Sequence, residues 1–188
     1  MGKPDARDII KLYEEAKQLR QRHEPDYRMA SAYCLPRHYL SWQSTGPAES
    51  STRADTARIA YDNTGVRSVP KFVAILHRLA TPEGMKWHKL AASDTSLMKK
   101  YVVRNYFDEL TNKLFKMRYS PRAHFGQSAS ELYTSLGVYG TAPMTIMSRK
   151  PSIIDRKGGL SYKSWPLRDV FLLVDDEGNV SVIFRRFF

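Results

Sequence analysis

A change of apolar period near Gly140 constrains this chain more than any other feature of its sequence. Before it, the apolar residues recur at helical spacing. The clearest stripe is Val103, Phe107, Leu110, Leu114 and Met117, with steps that alternate between four and three. After it, Val180, Val182 and Phe184 alternate with Ser181 and Arg185, the period of a half-buried strand. One pattern cannot serve both structures, because a helix places every third or fourth residue on one face and a strand every second. The expectation is an α+β fold of N-terminal helices packed on a small antiparallel sheet, with 1–140 mainly helical and 141–188 a strand region.

The helical part divides at its prolines and glycines. Residues Asp5 to His23 read as an amphipathic helix, with Ile9, Leu12, Ala16 and Leu19 apolar and Glu14, Glu15, Lys17, Arg20 and Arg22 elsewhere. Pro25 opens a short second helix, since proline is tolerated in a first turn, and Pro36 stops it. Arg37 to Ser51, rich in Ser, Thr, Gly and Pro, reads as a loop. From about Thr56 to Ala80 the stripe is Val66, Val69, Val73, Leu76 and Ala80. Pro70 inside it predicts a kink, or a restart capped by Ser68. Asp94 or Ser93 is the expected cap of the helix that runs to Arg118. Ser120-Pro121 starts another, with Phe125, Ala129, Leu132 and Leu136 on one face and Gly137 and Gly140 at its end. The strand candidates are Ala142–Met147, Leu160–Trp165, Val170–Val174 and Val180–Phe187. The last two flank Asp175-Asp176-Glu177-Gly178, a hairpin turn whose glycine supplies a positive φ.

Composition narrows the function classes. Hydrophobic residues make up 42% of the chain and aromatics 12%, enough for a core. The formal charge of +11 and a pI near 9.8 favour an anionic partner such as nucleic acid, a membrane surface or an acidic protein. The opposing reading is a basic protein whose charge serves solubility alone. Cys34 is the only cysteine, so no internal disulfide and no cysteine-based zinc site can form. Met1 to Lys17 carries charges every few residues and has no apolar run of the signal-peptide type, and no stretch approaches the roughly 20 apolar residues of a membrane span. The expectation is a cytosolic chain.

Catalytic patterns are scarce. His23, His38, His77, His88 and His124 lack metal-ligand spacing. Gly126-Gln127-Ser128-Ala129-Ser130 is not a nucleophile elbow, because Ser130 stands at its second glycine and the segment is helical in pattern. Gly158-Gly159 lacks the Lys-Ser/Thr of a phosphate loop. Asp175, Asp176 and Glu177 read as a solvated turn rather than a calcium loop. No catalytic residue, metal site or cofactor is expected.

One stretch carries a binding signal. Between Ser148 and Arg168 lie Arg149, Lys150, Arg156, Lys157, Lys163 and Arg168 against the single acid Asp155, with Tyr162 and Trp165 among them. A basic loop with aromatics can track a phosphate backbone and stack on bases. The plainer alternative is a solvated loop with Trp165 tucked into the core beside Pro166. Arg149, Lys150, Arg156, Lys157 and Lys163 are the candidate DNA contacts.

Several segments together resemble the head–tail connector (portal) proteins of short-tailed, T7-like bacteriophages. Arg58-Ile-Ala-Tyr61-Asp62-Asn63-Thr64 is followed by Leu79-Ala-Thr81-Pro82-Glu-Gly84-Met-Lys-Trp87-His-Lys-Leu90, which looks like that family's tyrosine–aspartate and proline–glycine–tryptophan signature. Phe125 through Glu131-Leu-Tyr133 to Gly137-Val-Tyr139-Gly140-Thr-Ala142 is similar to its helix that ends in a glycine before a strand. The segment Leu160 to Asp169, with Asp176-Glu-Gly178-Asn-Val180 and Arg185-Arg186, resembles its strand–turn–strand. Asn63, Gly65, Pro70, Glu83 and His88 depart from the pattern.

The resemblance implies the N-terminal, wing-like part of a portal. That protein is a ring, typically a dodecamer, at one capsid vertex. DNA is packaged and ejected through it, the terminase motor docks on it, and tail adaptor, capsid and scaffolding proteins attach to it. Its place is the virion, and the host cytoplasm during assembly. Tyr61, Asp62, Thr64, Pro82, Trp87 and Gly140 would be packing or interface residues, with Tyr61 and Trp87 largely buried and Asp62 in a hydrogen bond or ion pair. Family members are longer, so the stem and clip would lie beyond Phe188, and Phe184, Phe187 and Phe188 would need cover from elsewhere. Two further readings compete: a small stand-alone DNA-binding protein, which lacks a recognisable helix-turn-helix or zinc motif, and a phage enzyme, which lacks a catalytic constellation.

Overall fold

The structure, a computed structural model, describes residues 5–36, 38, 63–151 and 158–186. Tyr61, Asp62, Arg156, Lys157, Phe187 and Phe188 lie outside the described residues, as does most of the expected loop from Arg37 to Ser51. The described helices are α1 (Ala6–Gln21), α2 (Glu24–Cys34), α3 (Thr64–Ala80), α4 (Tyr101–Arg118) and α5 (Phe125–Tyr139). The strands are β1 (Met144–Arg149), β2 (Gly159–Ser164), β3 (Val170–Val174) and β4 (Val180–Arg185). The fold is α+β, with helices preceding strands along the chain.

The local reasons are legible. Pro25 sits in the first turn of α2, where its missing N–H costs nothing. Helix α3 does not restart at Pro70. It runs through the proline, and the Ser68 hydroxyl donates back to the Thr64 carbonyl at 2.7 Å instead of capping. Asp94 caps a turn and not α4: its Oδ1 accepts the Ser96 N–H at 2.8 Å ahead of the 3-10 turn Leu97–Lys99, and Lys100 takes the N-cap position of α4. Ser120 and Pro121 open a 3-10 turn, after which His124 adopts φ 55° and α5 begins. Helix α5 passes Gly137 and ends before Gly140, whose φ of 72° is the left-handed conformation that closes a helix.

The strands form two separate two-stranded sheets rather than one. In the first, β1 and β2 are antiparallel with Ile146 opposite Tyr162 and Arg149 opposite Gly159. In the second, β3 and β4 are antiparallel with Phe171 opposite Phe184 and Leu173 opposite Val182. The β3–β4 turn closes through Gly178 N–H to the Asp175 carbonyl and Asp175 N–H to the Asn179 carbonyl, each 2.8 Å, with Gly178 at φ 82°.

Two compact units emerge, each discontinuous in sequence. One contains residues 1–72, 134–143 and 165–188. Its core is Ala16, Phe171 and Leu173, flanked by Leu12, Tyr13, Leu19, Val182 and Phe184, so the apolar stripe of α1 covers one face of the β3–β4 hairpin. Tyr13 meets Phe171 and Phe184 edge-on at 5.2 and 5.7 Å between ring centroids. Phe184, expected to need outside cover, is half-buried against Tyr13 of α1. In the same unit α2 meets the end of α5, where the buried Ser31 hydroxyl lies 2.8 Å from the Tyr139 hydroxyl. The other unit contains residues 73–133 and 144–164. Its core is Ala123, Phe125, Ala129, Tyr133 and Tyr162, with Val73, Leu76, Trp87 and Tyr119 packed around it.

Gly65 tests the close approach of α3 to α2. A Cβ there would lie 2.7 Å from the Tyr33 carbonyl oxygen, a backbone atom that cannot swing aside. Replacing a helical glycine by alanine normally gains up to about 1 kcal/mol. Here overpacking of about 1–3 kcal/mol outweighs that gain. Thermal unfolding should show Gly65→Ala less stable than wild type. Gly126→Ala, whose Cβ meets only the Glu83 carboxylate at 3.6 Å, should leave the melting temperature unchanged or higher.

Candidate functional site

In the second unit the segment Pro82–Leu90 has no regular structure, and its side chains fix it to the core. Trp87 is half-buried; its indole N–H donates to the Tyr119 hydroxyl at 3.0 Å, and its ring stacks near Phe125 at 6.5 Å and meets Phe115 edge-on at 5.9 Å. Arg118, at the end of α4, lays its guanidinium over Trp87 at 4.7 Å, over Phe125 at 5.4 Å and over Phe115 at 5.5 Å. The same group reaches the Tyr162 hydroxyl at 3.3 Å and His88 Nδ1 at 3.3 Å. His88 stacks on Phe115 at 4.6 Å. Desolvation, and secondly the Arg118 charge, hold the His88 pKa below the ordinary 6.5. Leu90 N–H donates to the Thr111 hydroxyl at 3.1 Å, which in turn donates to the Phe107 carbonyl, so the segment is tied at both ends.

A chain of polar contacts runs beside it. His77 Nε2 lies 2.8 Å from the Ser130 hydroxyl, His77 Nδ1 lies 3.3 Å from the Thr81 hydroxyl, and Thr81 lies 3.0 Å from the Tyr133 hydroxyl. A serine beside a histidine is half of a nucleophilic pair. Among the described residues a hydroxyl, that of Thr81, and not a carboxylate takes the third position. These contacts join α3 to α5 and satisfy buried Thr81 and Tyr133. Among the described residues no three His, Cys, Asp or Glu side chains cluster to hold a metal. No described helix is long and apolar enough to cross a membrane.

In the first unit the open end of the β3–β4 hairpin is rich in arginine. Arg20 donates to the Arg168 and Val170 carbonyls at 2.5 and 3.0 Å and lies over Phe171 at 4.5 Å. Asp169 Oδ1 sits 3.6 Å from both Arg168 Nε and Arg186 Nη2. The Arg185 guanidinium lies 3.0 Å from the centre of the Trp165 ring.

Residues 6–188 match the family described as bacteriophage head to tail connecting protein. The chain belongs to that family. A comparison with curated proteins returns no match. The family is one of structural phage proteins and not a known enzyme family.

The connector signature can now be placed. Trp87 belongs to the aromatic cluster of the second unit, while Pro82 is half-buried at the start of the same segment. Thr64 is exposed in the first turn of α3, and Gly140 is exposed at the end of α5. Of the basic stretch, Arg156 and Lys157 lie outside the described residues. Arg149 turns back to donate to the Arg122 carbonyl at 2.9 Å, whereas Lys150 and Lys163 are exposed. Its aromatics are committed elsewhere: Tyr162 is 4% exposed in the core and Trp165 lies under Arg185. Sequence reasoning passed over Arg118 and His88 as a pair, since 30 residues separate them and neither belongs to a periodic stripe.

His88 gives this connector a pH signature. Its depressed folded pKa means that the unfolded chain takes up the proton first. The stabilising contribution is complete above pH 6.5 and is lost as pH falls towards the folded value. Melting curves should therefore decline below that pH more steeply for wild type than for His88→Gln. Equal slopes would contradict the geometry.

Proposed function

We propose that this chain forms part of a closed connector ring at a capsid vertex, through which double-stranded DNA is packaged and ejected. The family match over residues 6–188 carries this reading, and a structural fold with tied-down polar clusters supports it. In that role residues 1–140 supply the helical wing-like region and 141–188 the strand region. The terminase motor, the tail adaptor, and capsid or scaffolding proteins are its partners. The virion is its destination, after assembly in the host cytoplasm. Tyr61, Asp62, Thr64, Pro82, Trp87 and Gly140 act in packing or at subunit contacts, and no catalytic step or cofactor is required.

DNA contact is the finer part of the proposal. Lys150 and Lys163, exposed on and beside the β1–β2 hairpin, are its best-supported members, and Arg156 and Lys157 belong to the same stretch. Arg149 contributes by holding the hairpin through the Arg122 carbonyl. A stand-alone DNA-binding protein is the second reading, favoured by the net charge of +11.

Binding to a duplex of arbitrary sequence, titrated with salt, tests the contact. Each phosphate neutralised adds about 0.9 to the slope of log affinity against log salt. Lys150→Ala with Lys163→Ala should weaken binding and flatten that slope by about 1.8. An unchanged slope removes both lysines from the interface.

A further inference from the structure

Each hairpin has one edge closed by a helix side chain and one edge open. In an antiparallel pair, facing residues either exchange backbone bonds or both point their N–H and C=O groups outward. The Tyr162 carbonyl accepts from the Ser128 hydroxyl of α5 at 2.8 Å, so it points away from β1. Ile146 faces Tyr162 and therefore points its own N–H and C=O outward, as do Met144 and Ser148 two residues to either side. The bond from Trp165 N–H to the Pro143 carbonyl, 3.0 Å, fixes the same alternation. In the second hairpin the Val170 carbonyl accepts from Arg20 of α1 at 3.0 Å, and Ile183 belongs to the outward set of β4.

Among the described residues nothing bonds to the outward groups of Met144, Ile146, Ser148 or Ile183. The side chains there are bare as well: Ile146 is 57% exposed and Ile183 63%, and Thr145, Met147 and Ser148 are exposed too. An open edge is a template for another strand, and natural edges are guarded by charge, proline or a bulge. Met144–Ser148 holds neither charge nor proline. The bulge of the second hairpin, between Leu173 and Val174, lies towards its turn and clear of Ile183.

We propose that β4 of one copy pairs antiparallel with β1 of a second copy of this chain, Ile183 facing Ile146, to make one sheet in the order β2–β1–β4–β3. Two observations select this occupant. The row Tyr162, Ile146, Ile183 and Leu172 then runs unbroken across one face, and the two exposed isoleucines cover each other. The antiparallel direction also brings exposed Lys150, just past β1, towards the exposed acids Asp175, Asp176 and Glu177, just ahead of β4, and opposite charges steer encounter. A joint between two different edges of the same chain is head-to-tail, the kind that closes into a ring when its rotation permits. The proposal rests on the ring reading above and assigns it one joint.

Cysteine cross-linking tests the register in the protein as the phage produces it, with Cys34→Ala as background. Facing residues of a bonded antiparallel pair have Cα atoms about 5.5 Å apart, within reach of a disulfide. Ile146→Cys and Ile183→Cys, carried by separate co-expressed copies, should cross-link to each other on mild oxidation, and neither should cross-link to itself. Proline reads the strength of the joint. Ile146→Pro removes an N–H that the hairpin does not use, so β1 and β2 stay paired while the joint is blocked. Sedimentation velocity should show that variant associating about tenfold more weakly than wild type. Circular dichroism confirms the fold, and Ile183→Pro, on the opposite edge, decides the matter should Ile146→Pro unfold.

Absence of the mixed cross-link overturns the proposal, as does association unchanged by the proline variants. Cross-linking of Ile146→Cys to itself also overturns it, in favour of a two-fold pair of β1 strands. Particle images keep the two levels apart: rings that survive Ile146→Pro and Ile183→Pro sink this joint alone, whereas the lack of any ring in wild type sinks the joint together with the reading beneath it.

Discussion

The cation–π stacking of Arg118 on Trp87, Phe115 and Phe125 is the interaction on which the second unit depends. The half-buried Arg118 guanidinium exchanges part of its hydration for contacts with three aromatic rings and for hydrogen bonds to the Tyr162 and His88 side chains. Through it the end of α4, the start of α5, β2 and the irregular Pro82–Leu90 segment share one node. A segment without helix or strand of its own keeps a single position only if its side chains are held in this way. Phe125 against Tyr162, 4.9 Å apart and edge-on, carries the same node into the β1–β2 hairpin.

In the first unit the comparable constraint is the pairing of α1 with the β3–β4 hairpin. A two-stranded hairpin is marginal by itself in water. Leu12, Tyr13, Ala16 and Leu19 supply the missing face, and Arg20 ties the helix to the strand backbone at Arg168 and Val170. The first helix of the chain is thus paired with the last hairpin, residues about as far apart in sequence as the chain allows. The connector role is compatible with such an organisation, since its chemistry is that of surfaces and not of a reacting group.

Much of this was legible in the sequence, for reasons that particular residues show. The stripe from Val103 to Met117 and the alternation from Val180 to Phe184 each report a local period and so predict the helix and the strand, although Met117 and Val180 are exposed. Pro25 and the Asp175–Gly178 turn were readable because their backbone requirements are local too. Of the two outcomes expected at Pro70, the restart does not occur, because helix α3 continues through the proline at the cost of one backbone hydrogen bond. The basic stretch was only half legible. Charge shows in composition, but the turn of Arg149 towards the Arg122 carbonyl and the burial of Tyr162 depend on partners more than 25 residues away. The two-unit division was illegible for the same reason, since each unit is assembled from separated stretches.

The central claim is that this protein acts as a connector by assembling with copies of itself. Native mass together with particle images of the purified protein, as the phage produces it, tests that claim most directly. The account predicts closed rings of uniform subunit number. A monomer that binds duplex DNA with a steep salt dependence, and forms no ring at any concentration, would contradict it.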